Sequence, residues 1–301
     1  MESRQTALEE SVHANPSAVS ASPAPMQLPV RPLVRIRSSR GWGALNLREL
    51  WGHRDLFYFL MWRDVKVRYK QTALGVAWVA LQPLLTMMIF TIIFGRLAHL
   101  PSDGKPYPIF VYAGLLPWNF FSNAVSNSSN SLVGNAALIT KVYFPRLVIP
   151  GAAVGAGLVD LAIAATILLA MCFYYHVSLG FRLLMLLPMT VVLTIFAAAV
   201  GLWMSALNVK YRDIRYVLPF LFQIWMYLTP VIYPLKFIPA QWRWAIALNP
   251  LSGIIGGFRS AIFSHPFNWP GLIAAALITL SFFVFAAYDF RRMERMFADI
   301  I

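Results

Sequence analysis

Apolar runs separated by short polar connections fill the chain from residue 74 onward. A helix needs about 20 apolar residues to cross the hydrocarbon core of a bilayer, so each long run is a candidate membrane span. The pattern predicts six spans, at 74–97, 109–133, 147–175, 183–207, 217–233 and 269–288. The third run is longer than a crossing requires, and the fifth is short and ends near two prolines.

Residues 46–70 show a different pattern of apolar and charged side chains from the long apolar runs. Their apolar side chains fall near one helical stripe, and charged side chains occupy the other side. The segment is too charged to span and predicts an amphipathic helix in the membrane interface. We expect four residues to anchor it at the cytoplasmic surface, with Asp64 and Arg68 paired at i,i+4. The anchoring residues are Arg63, Asp64, Lys66 and Arg68.

Two further segments have their own composition. Residues 1–45 are rich in Ser, Ala and Pro and contain no apolar core of a signal peptide, which predicts a flexible cytoplasmic tail. Residues 236–266 are apolar but interrupted by Pro and Gly, which favours two short re-entrant or interfacial helices.

The predicted fold is therefore an all-α integral membrane protein with six transmembrane helices. It has an N-terminal amphipathic interface helix and re-entrant or gate helices between spans five and six. The domain boundaries are a tail at 1–45, an interface helix at 46–70 and a six-span transmembrane domain at 71–301.

Composition and charge support this fold. The chain is 59% hydrophobic and 12% charged, so it has too few charged side chains to cover a soluble protein of 301 residues. Of the 25 Lys and Arg residues, 19 lie before the first span or in connections on the same side, and 6 lie in the connections of the opposite side. The positive-inside rule then places both termini in the cytoplasm. The basic residues lie between apolar runs, which argues against a nucleic-acid partner.

The second predicted span carries a polar stripe. Asn119, Asn123, Asn127 and Asn130 recur at near-helical spacing, with serines between them. Lipid would penalise this face, so it must meet another helix or an aqueous path. Hydrogen bonding between helices and the lining of a polar conduit are both consistent with the pattern.

Aromatic side chains accompany this stripe. They can stack on the apolar C–H faces of sugar rings, or they can serve helix packing and the interfacial aromatic belt. The set comprises Trp118, Phe120 and Phe121 in span two, and Trp225, Tyr227 and Tyr233 around span five.

Residues for catalysis are sparse. The sequence has no phosphate-binding loop of an ATPase, no zinc-type histidine spacing, no nucleophile elbow and a single cysteine, Cys172. Asp160 is the one acid inside a predicted span; it can act as a proton relay or form a packing hydrogen bond among small residues. We therefore expect no catalysis and no cofactor in this chain.

Six motifs, taken together and in order, resemble the membrane (permease) subunit of polysaccharide-exporting type 2 ABC transporters, the O-antigen, capsule and teichoic acid export group. The resemblance covers residues 45–301. It rests on RDVKVRYKQTALG at 63–75, LITKVYFPR at 138–146, ALNVKYRDIRY at 206–216, LTPVIYPL at 228–235, LNPLSGIIGGFR at 248–259 and RRMERMFADII at the C-terminus.

The resemblance implies that two copies of the chain pair with two cytoplasmic ATPase subunits, which bind ATP and Mg²⁺, in a bacterial inner membrane. A lipid-linked polysaccharide such as O-antigen would pass between the copies. The connection at 138–146 would be the coupling helix that touches the ATPase, and 236–266 would form external gate helices. The coupling contacts are expected at Ala136, Leu138, Lys141 and Tyr143.

The polymer path is expected along the polar stripe of span two and the aromatics of spans two and five. These residues are Trp118, Asn119, Phe121, Asn123, Asn127, Asn130, Trp225, Tyr227 and Tyr233. Two alternatives remain open. One is a membrane-embedded enzyme acting on lipid-linked sugars, for which the outward connections offer only Asp103 and three histidines. The other is a proton-coupled secondary transporter that uses Asp160.

Overall fold

The computed structural model describes residues 51–70, 75–142, 144–178, 180–294 and 297. The predicted tail at 1–45, the first residues of the interface helix at 46–50 and the predicted coupling residue Tyr143 lie outside the described residues.

Ten α-helices make up the described chain, which confirms the all-α prediction. They are α1 (Arg54–Lys70), α2 (Gly75–Phe90), α3 (Tyr107–Gly134), α4 (Ala136–Lys141), α5 (Val148–Tyr174), α6 (Leu186–Lys210), α7 (Ile214–Leu228), α8 (Arg243–Ala247), α9 (Pro250–Ile262) and α10 (Trp269–Glu294). A π-helical stretch, Thr91–Leu97, continues α2, and a 3₁₀ turn, Phe181–Met185, leads into α6. Two more 3₁₀ turns, Leu235–Phe237 and Ala240–Trp242, precede α8.

Four helical stretches are long and apolar enough to cross a membrane. They are Ala77–Leu97, Val148–Tyr174, Phe181–Lys210 and Trp269–Glu294, and they match the first, third, fourth and sixth predicted spans. The second predicted span is the 28-residue helix α3, whose Asn and Ser residues lower its mean hydropathy. The fifth predicted span is shorter than expected. Its helix, α7, ends at Leu228, and Thr229 is already extended.

The least apolar of the long helices, α3, lies at the centre of the molecule. It packs against both α5 and α6, and its buried side chains form most of the main hydrophobic cluster. Pro108 occupies the first turn of α3, where a backbone N–H has no intrahelical acceptor in any case. A position surrounded by protein allows α3 to carry polar side chains that a lipid-facing helix could not carry.

The connections between helices gather at two ends. At one end Lys236 lies 3.7 Å from Asp103, and the Tyr107 hydroxyl donates to the Ile232 carbonyl over 2.9 Å. At the other end Arg146 donates to the carbonyl of Glu294 over 2.8 Å. The connections that meet at each end are ones that the Lys and Arg count placed on the same side of the membrane.

Helix α1 packs against α5 at two glycines. A Cβ atom built on Gly155 would lie 3.1 Å from Sδ of Met61, and one built on Gly151 would lie 3.4 Å from the Phe57 ring. These glycines therefore allow close approach of the two helices. The other face of α1 leaves large aromatic side chains exposed, among them Tyr58, Phe59 and Trp62.

Candidate functional site

A cavity of about 490 Å³, with a mostly apolar wall, lies between α2, α3 and α5. Helix α3 contributes the amides of Asn119, Asn123 and Asn127 to its wall. Helix α2 faces them with Trp78 and Gln82, which lie one helical turn apart. The cavity therefore combines amide groups with an indole ring that is 52% exposed.

A second cavity of about 460 Å³ continues along α3 towards α4 and is lined by α1, α3 and α5. Asn127 and Arg68 line both cavities, so the two form one groove, which we call the α3 groove. It follows α3 from Asn119 to Asn130, a rise of about 16 Å at 1.5 Å per residue. The amide stripe seen in the sequence therefore lines both cavities, between the apolar surfaces that make up most of their walls.

Three side chains close the middle of this groove. Arg68 forms an ion pair with one carboxylate oxygen of Asp160, and the Tyr69 hydroxyl donates to the other oxygen. Burial, followed by the hydrogen bond to Asp160, raises the pKa of Tyr69, so this hydroxyl stays protonated as a donor. The end of α1 is thus fastened to the middle of α5.

This contact changes two expectations. The partner of Arg68 across the groove is Asp160, whereas Asp64 pairs with its neighbour Arg63 at 2.8 Å, so the predicted i,i+4 pair of Asp64 and Arg68 is wrong. Two roles were open for Asp160, a proton relay and a packing hydrogen bond among small residues of its own helix; the partners of its carboxylate are Arg68 and Tyr69 of α1. The sequence could not show this because 92 positions separate Arg68 from Asp160.

The polar stripe of α3 divides into two groups. Ser128 is buried and donates to the Pro150 carbonyl of α5 over 3.2 Å. Asn208 of α6 donates to the Ser129 carbonyl over 2.9 Å and to the Asn130 side chain over 3.2 Å. Asn123 and Asn127, in contrast, are exposed along the groove. Both interpretations of the stripe therefore apply, bonding between helices for the serines and lining of a polar surface for the asparagines.

The predicted path aromatics are mostly packed inside the chain. Phe121 is fully buried, stacks on Phe196 at 5.2 Å between ring centroids and meets Trp225 edge-on at 5.2 Å. Trp118 is only 4% exposed and lies 6.1 Å from Phe121.

Tyr227 and Tyr233 are placed differently. Tyr227 is 49% exposed, and the hydroxyl of the half-buried Tyr233 donates to the Tyr227 carbonyl over 2.9 Å. Tyr227 therefore has the most accessible ring of the predicted path aromatics of span five, whereas Phe121 and Trp118 have packing partners within this chain.

The sequence analysis missed Trp78 and Gln82 as groove residues. Gln82 is a polar side chain within a predicted apolar span, a signal comparable to the asparagines of α3. Trp78 lies one turn before it on the same helix face. Only the packing of α2 against α3 shows that both point into the groove.

Three of the expected coupling residues, Ala136, Leu138 and Lys141, lie on α4, a six-residue helix between α3 and α5. Lys141 is exposed, Ala136 and Leu138 are half-buried, and Ile139 is buried against the second hydrophobic cluster. The surface of α4 thus offers Lys141 together with the exposed Ala137 and Thr140.

The end of the molecule opposite α4 is fastened by a buried arginine. Arg259 of α9 donates to the carbonyls of Pro230 over 2.7 Å and of Tyr233 over 3.3 Å, and also to the Val231 carbonyl. Its guanidinium lies 3.7 Å from the centre of the Phe110 ring of α3. The turn at residues 229–233 that follows α7 is therefore fixed to both α9 and α3.

A second contact joins the same two segments. The Asn249 side chain caps α9 by accepting from the backbone N–H of Leu251 over 3.2 Å, with Pro250 in the first turn. Its amide also donates to the Thr229 hydroxyl over 2.8 Å. The LTP and LNP motifs, about twenty residues apart, thus meet in the fold.

Within the described ranges, no three His, Cys, Asp or Glu side chains lie close enough together to hold a metal ion. The groups that the fold brings together for function are accordingly amides, an indole ring and paired charges.

Comparison with known proteins places this architecture in a family. The family described as ABC-2 type transporter matches residues 55–263. The O-antigen export system permease protein RfbA of Myxococcus xanthus is 29% identical over 266 residues, covering 85% of this chain and 98% of that protein. The RfbA protein of Klebsiella pneumoniae is 28% identical over 248 residues, covering 82% and 95%. The polysialic acid transport protein KpsM of Escherichia coli is 25% identical over 206 residues, covering 67% and 79%.

These matches confirm the resemblance seen in the six motifs. The family match includes most of α1, the whole α3 groove and the Arg259 contacts, and it covers more than half of the sequence. The protein is therefore a member of the ABC-2 type transporter family, as its membrane component.

Proposed function

We propose that this chain is the permease subunit of an ATP-driven exporter that moves a lipid-linked polysaccharide, such as O-antigen, across the bacterial inner membrane. Family membership carries the proposal, and the amide-lined α3 groove supports it. In this proposal ATP and Mg²⁺ bind to a separate ATPase subunit, and the chain itself needs no cofactor. The enzyme and the proton-coupled transporter are less well supported, since RfbA and KpsM are named as export and transport proteins and Asp160 is ion-paired.

The proposed topology has six crossings with both termini in the cytoplasm. Helix α7 supplies the fifth crossing together with the turn from Thr229 to Tyr233, in which Arg259 satisfies the carbonyls of Pro230, Val231 and Tyr233. Irregular backbone at membrane depth is stable when protein groups satisfy it in this way. Residues 236–266 then act as gate helices on the outer side, residues 46–70 as the interface helix with Lys66 on its exposed face, and residues 1–45 as a cytoplasmic tail.

The groove has the chemistry that a moving glycan requires. Asparagine and glutamine side chains offer both donors and acceptors to sugar hydroxyls, and an indole ring offers a surface for sugar C–H faces. Contacts spread over about 16 Å of α3 would be weak individually and repeated, which lets a polymer advance instead of being held at one site.

A second copy of the chain is part of the proposal. Asn123, Asn127 and Asn130 are exposed in the single chain. Exposed amides at membrane depth are unfavourable in lipid, so a water-filled path or a protein surface must cover them. Pairing of two copies would enclose the groove, and two ATPase subunits would complete the exporter.

Export can be tested in cells of the source bacterium. Deletion of the gene for this chain should trap polysaccharide in the cytoplasm, and the wild-type gene should restore surface polysaccharide measured with a glycan stain on intact cells. Deletion of the partner ATPase should trap the same polymer. If the deletion strain displays normal surface polysaccharide, the proposed function is wrong.

The coupling role of α4 can be tested with single cysteines in a Cys172→Ala background. Cysteines at the exposed positions Ala137 and Thr140 should react quickly with a water-soluble maleimide and should be protected about tenfold by the bound ATPase. A cysteine at the buried Ile139 is the matched control and should react slowly in both states. Equal modification of Thr140→Cys with and without the ATPase would place the contact elsewhere.

A further inference from the structure

The charged side chains that line the α3 groove cancel one another. The two cavities are lined by two cations, Arg63 and Arg68, and by two anions, Asp64 and Asp160. Arg63 pairs with Asp64 at 2.8 Å, and Arg68 pairs with Asp160. The remaining polar groups of the lining are amides and a hydroxyl, so the described groove carries no net charge.

This balance is local, since the whole chain has a net charge of +13. On α1 the excess positive charge is carried by Lys66 and Lys70, which are exposed and do not line either cavity. Such cations at the membrane surface attract anionic lipid headgroups. The positive charge of the chain therefore lies outside the groove.

A ligand charge that leaves water needs an opposite charge to offset its lost hydration. A polyanionic glycan would bring carboxylates or phosphates at regular intervals into a groove whose cations are already paired. Each anion would either remain uncompensated or separate Arg68 from Asp160. A neutral glycan has no such cost, and its hydroxyls match the amides of Asn119, Asn123 and Gln82.

We propose that the α3 groove selects uncharged polysaccharide and disfavours polyanionic polysaccharide, with the Arg68–Asp160 pair as the element that sets this preference. The inference rests on the proposed function, because it takes a glycan as the cargo. To the proposed function it adds the class of glycan that is carried and two residues, Arg68 and Asp160, that set the specificity. Trp78 is the aromatic surface on which the neutral sugar ring stacks.

Binding to the purified full-length chain in detergent at low ionic strength tests this proposal. The probes are fluorescent fragments of neutral polymers, namely dextran, mannan and galactan, and of an anionic polymer, an oligomer of sialic acid. The wild-type chain should bind at least one neutral probe with little dependence on salt and should bind the sialic acid oligomer at least tenfold more weakly. Trp78→Ala should weaken binding of the neutral probe about tenfold, which localises the probe in the groove.

Single changes of charge should move the preference in opposite directions. Asp160→Asn leaves the groove with one net positive charge and should strengthen binding of the sialic acid oligomer at least tenfold, with an effect that disappears at high salt. Arg68→Gln should weaken binding of the sialic acid oligomer below that of the wild-type chain. The double exchange Arg68→Asp with Asp160→Arg keeps the pair and the net charge, and should retain the wild-type preference.

Asp103→Asn is the matched control, because Asp103 is also a partly buried acid paired with a base, Lys236, but lies at the other end of the molecule. The Asp103→Asn variant should bind the neutral probe and the sialic acid oligomer with the wild-type affinities. A wild-type chain that binds the sialic acid oligomer as tightly as the best neutral probe, or an Asp160→Asn variant without a gain, would overturn the charge inference and leave glycan export intact. If Trp78→Ala weakens the binding of none of the probes, the groove is not part of the export path, and that result would count against the proposed function of the groove instead.

Discussion

Arg259 allows the sharpest test of how the outer end of the molecule is held together. The change Arg259→Ala removes the donors to the carbonyls of Pro230, Val231 and Tyr233, and it removes the cation from the face of Phe110. Residue 259 is only 8% exposed, so water does not readily replace those donors. The turn at residues 229–233 after α7 would lose its main polar attachment to α9.

The size of the effect follows from these contacts. A hydrogen bond to a charged group contributes about 1.5–3 kcal/mol. The loss summed over the bonds of Arg259 is partly offset because the variant no longer buries a guanidinium. Breaking a buried charged interaction of this kind typically costs about 3–5 kcal/mol. With the scaling of soluble domains, about 2–4 °C per kcal/mol, the unfolding temperature should fall by about 10 °C or more.

The chain carries its own reporter for this measurement. Cys172 is the single cysteine of the sequence and is 1% exposed. A dye that becomes fluorescent on reaction with thiols will therefore report the thermal exposure of Cys172 in detergent, without any introduced label. Wild-type and Arg259→Ala proteins should give single transitions with clearly separated midpoints.

Arg182→Ala is the matched control. Arg182 lies at the same end and also donates to backbone carbonyls, of Ser264 and His265, but it is exposed. Its loss should cost less than about 1 kcal/mol because water replaces its hydrogen bonds. An Arg259→Ala transition within 2–3 °C of wild type, on the scale of about 2–4 °C per kcal/mol, would refute the argument that the buried guanidinium fixes this end.

Three further predictions concern α3 and its contact with α6. Gly201→Ala should destabilise the protein by about 1–3 kcal/mol because its Cβ would lie 2.5 Å from the Ser128 hydroxyl; Gly256→Ala, whose Cβ meets nothing within 4 Å, should be neutral or slightly stabilising in the same thiol-dye assay. Asn127→Leu should reduce surface polysaccharide with little change in the unfolding temperature, because the side chain is exposed in the groove. Trp118→Leu should lower the unfolding temperature by an amount that corresponds to about 2–4 kcal/mol. A stable Trp118→Leu protein that fails to export would show that this ring serves the path and not the packing.

The hydrophobic pattern predicted the helices well because it follows directly from the cost of exposing polar groups to lipid. Runs of about 20 apolar residues became the long helices α2, α5, α6 and α10, and Pro250 begins α9 after the end of α8, whereas Gly253, Gly256 and Gly257 lie inside α9. The early end of α7 agrees with the prolines noted at the end of the fifth apolar run, since the residue before Pro230 is disfavoured in a helix. The turn formed by Thr229 to Tyr233 was harder to foresee, because it depends on Arg259 at a distant position.

The groove was predicted only in part for a similar reason. The amides of α3 stand out because they recur along one helix, whereas the partners Arg68 and Asp160 lie on different helices and no local pattern links them. The aromatic residues show the opposite problem. Trp118 and Phe121 had the right chemistry for sugar stacking, but ring size and apolar character are equally suited to the core, and only the packing against Phe196 and Trp225 decides between these roles.

The central position of α3 has a consequence for how the chain is synthesised. Polar residues near the centre of a helix make its transfer from the insertion machinery into lipid unfavourable. Helix α3 carries three such residues, Asn119, Asn123 and Asn127. The apolar α2 can enter lipid alone as soon as it emerges. The polar side of α3 has a partner on α5, which follows it in the chain, because the Ser128 hydroxyl donates to the Pro150 carbonyl. Release of α3 into the membrane should accordingly wait until α5 has been translated, so these helices mature as a group.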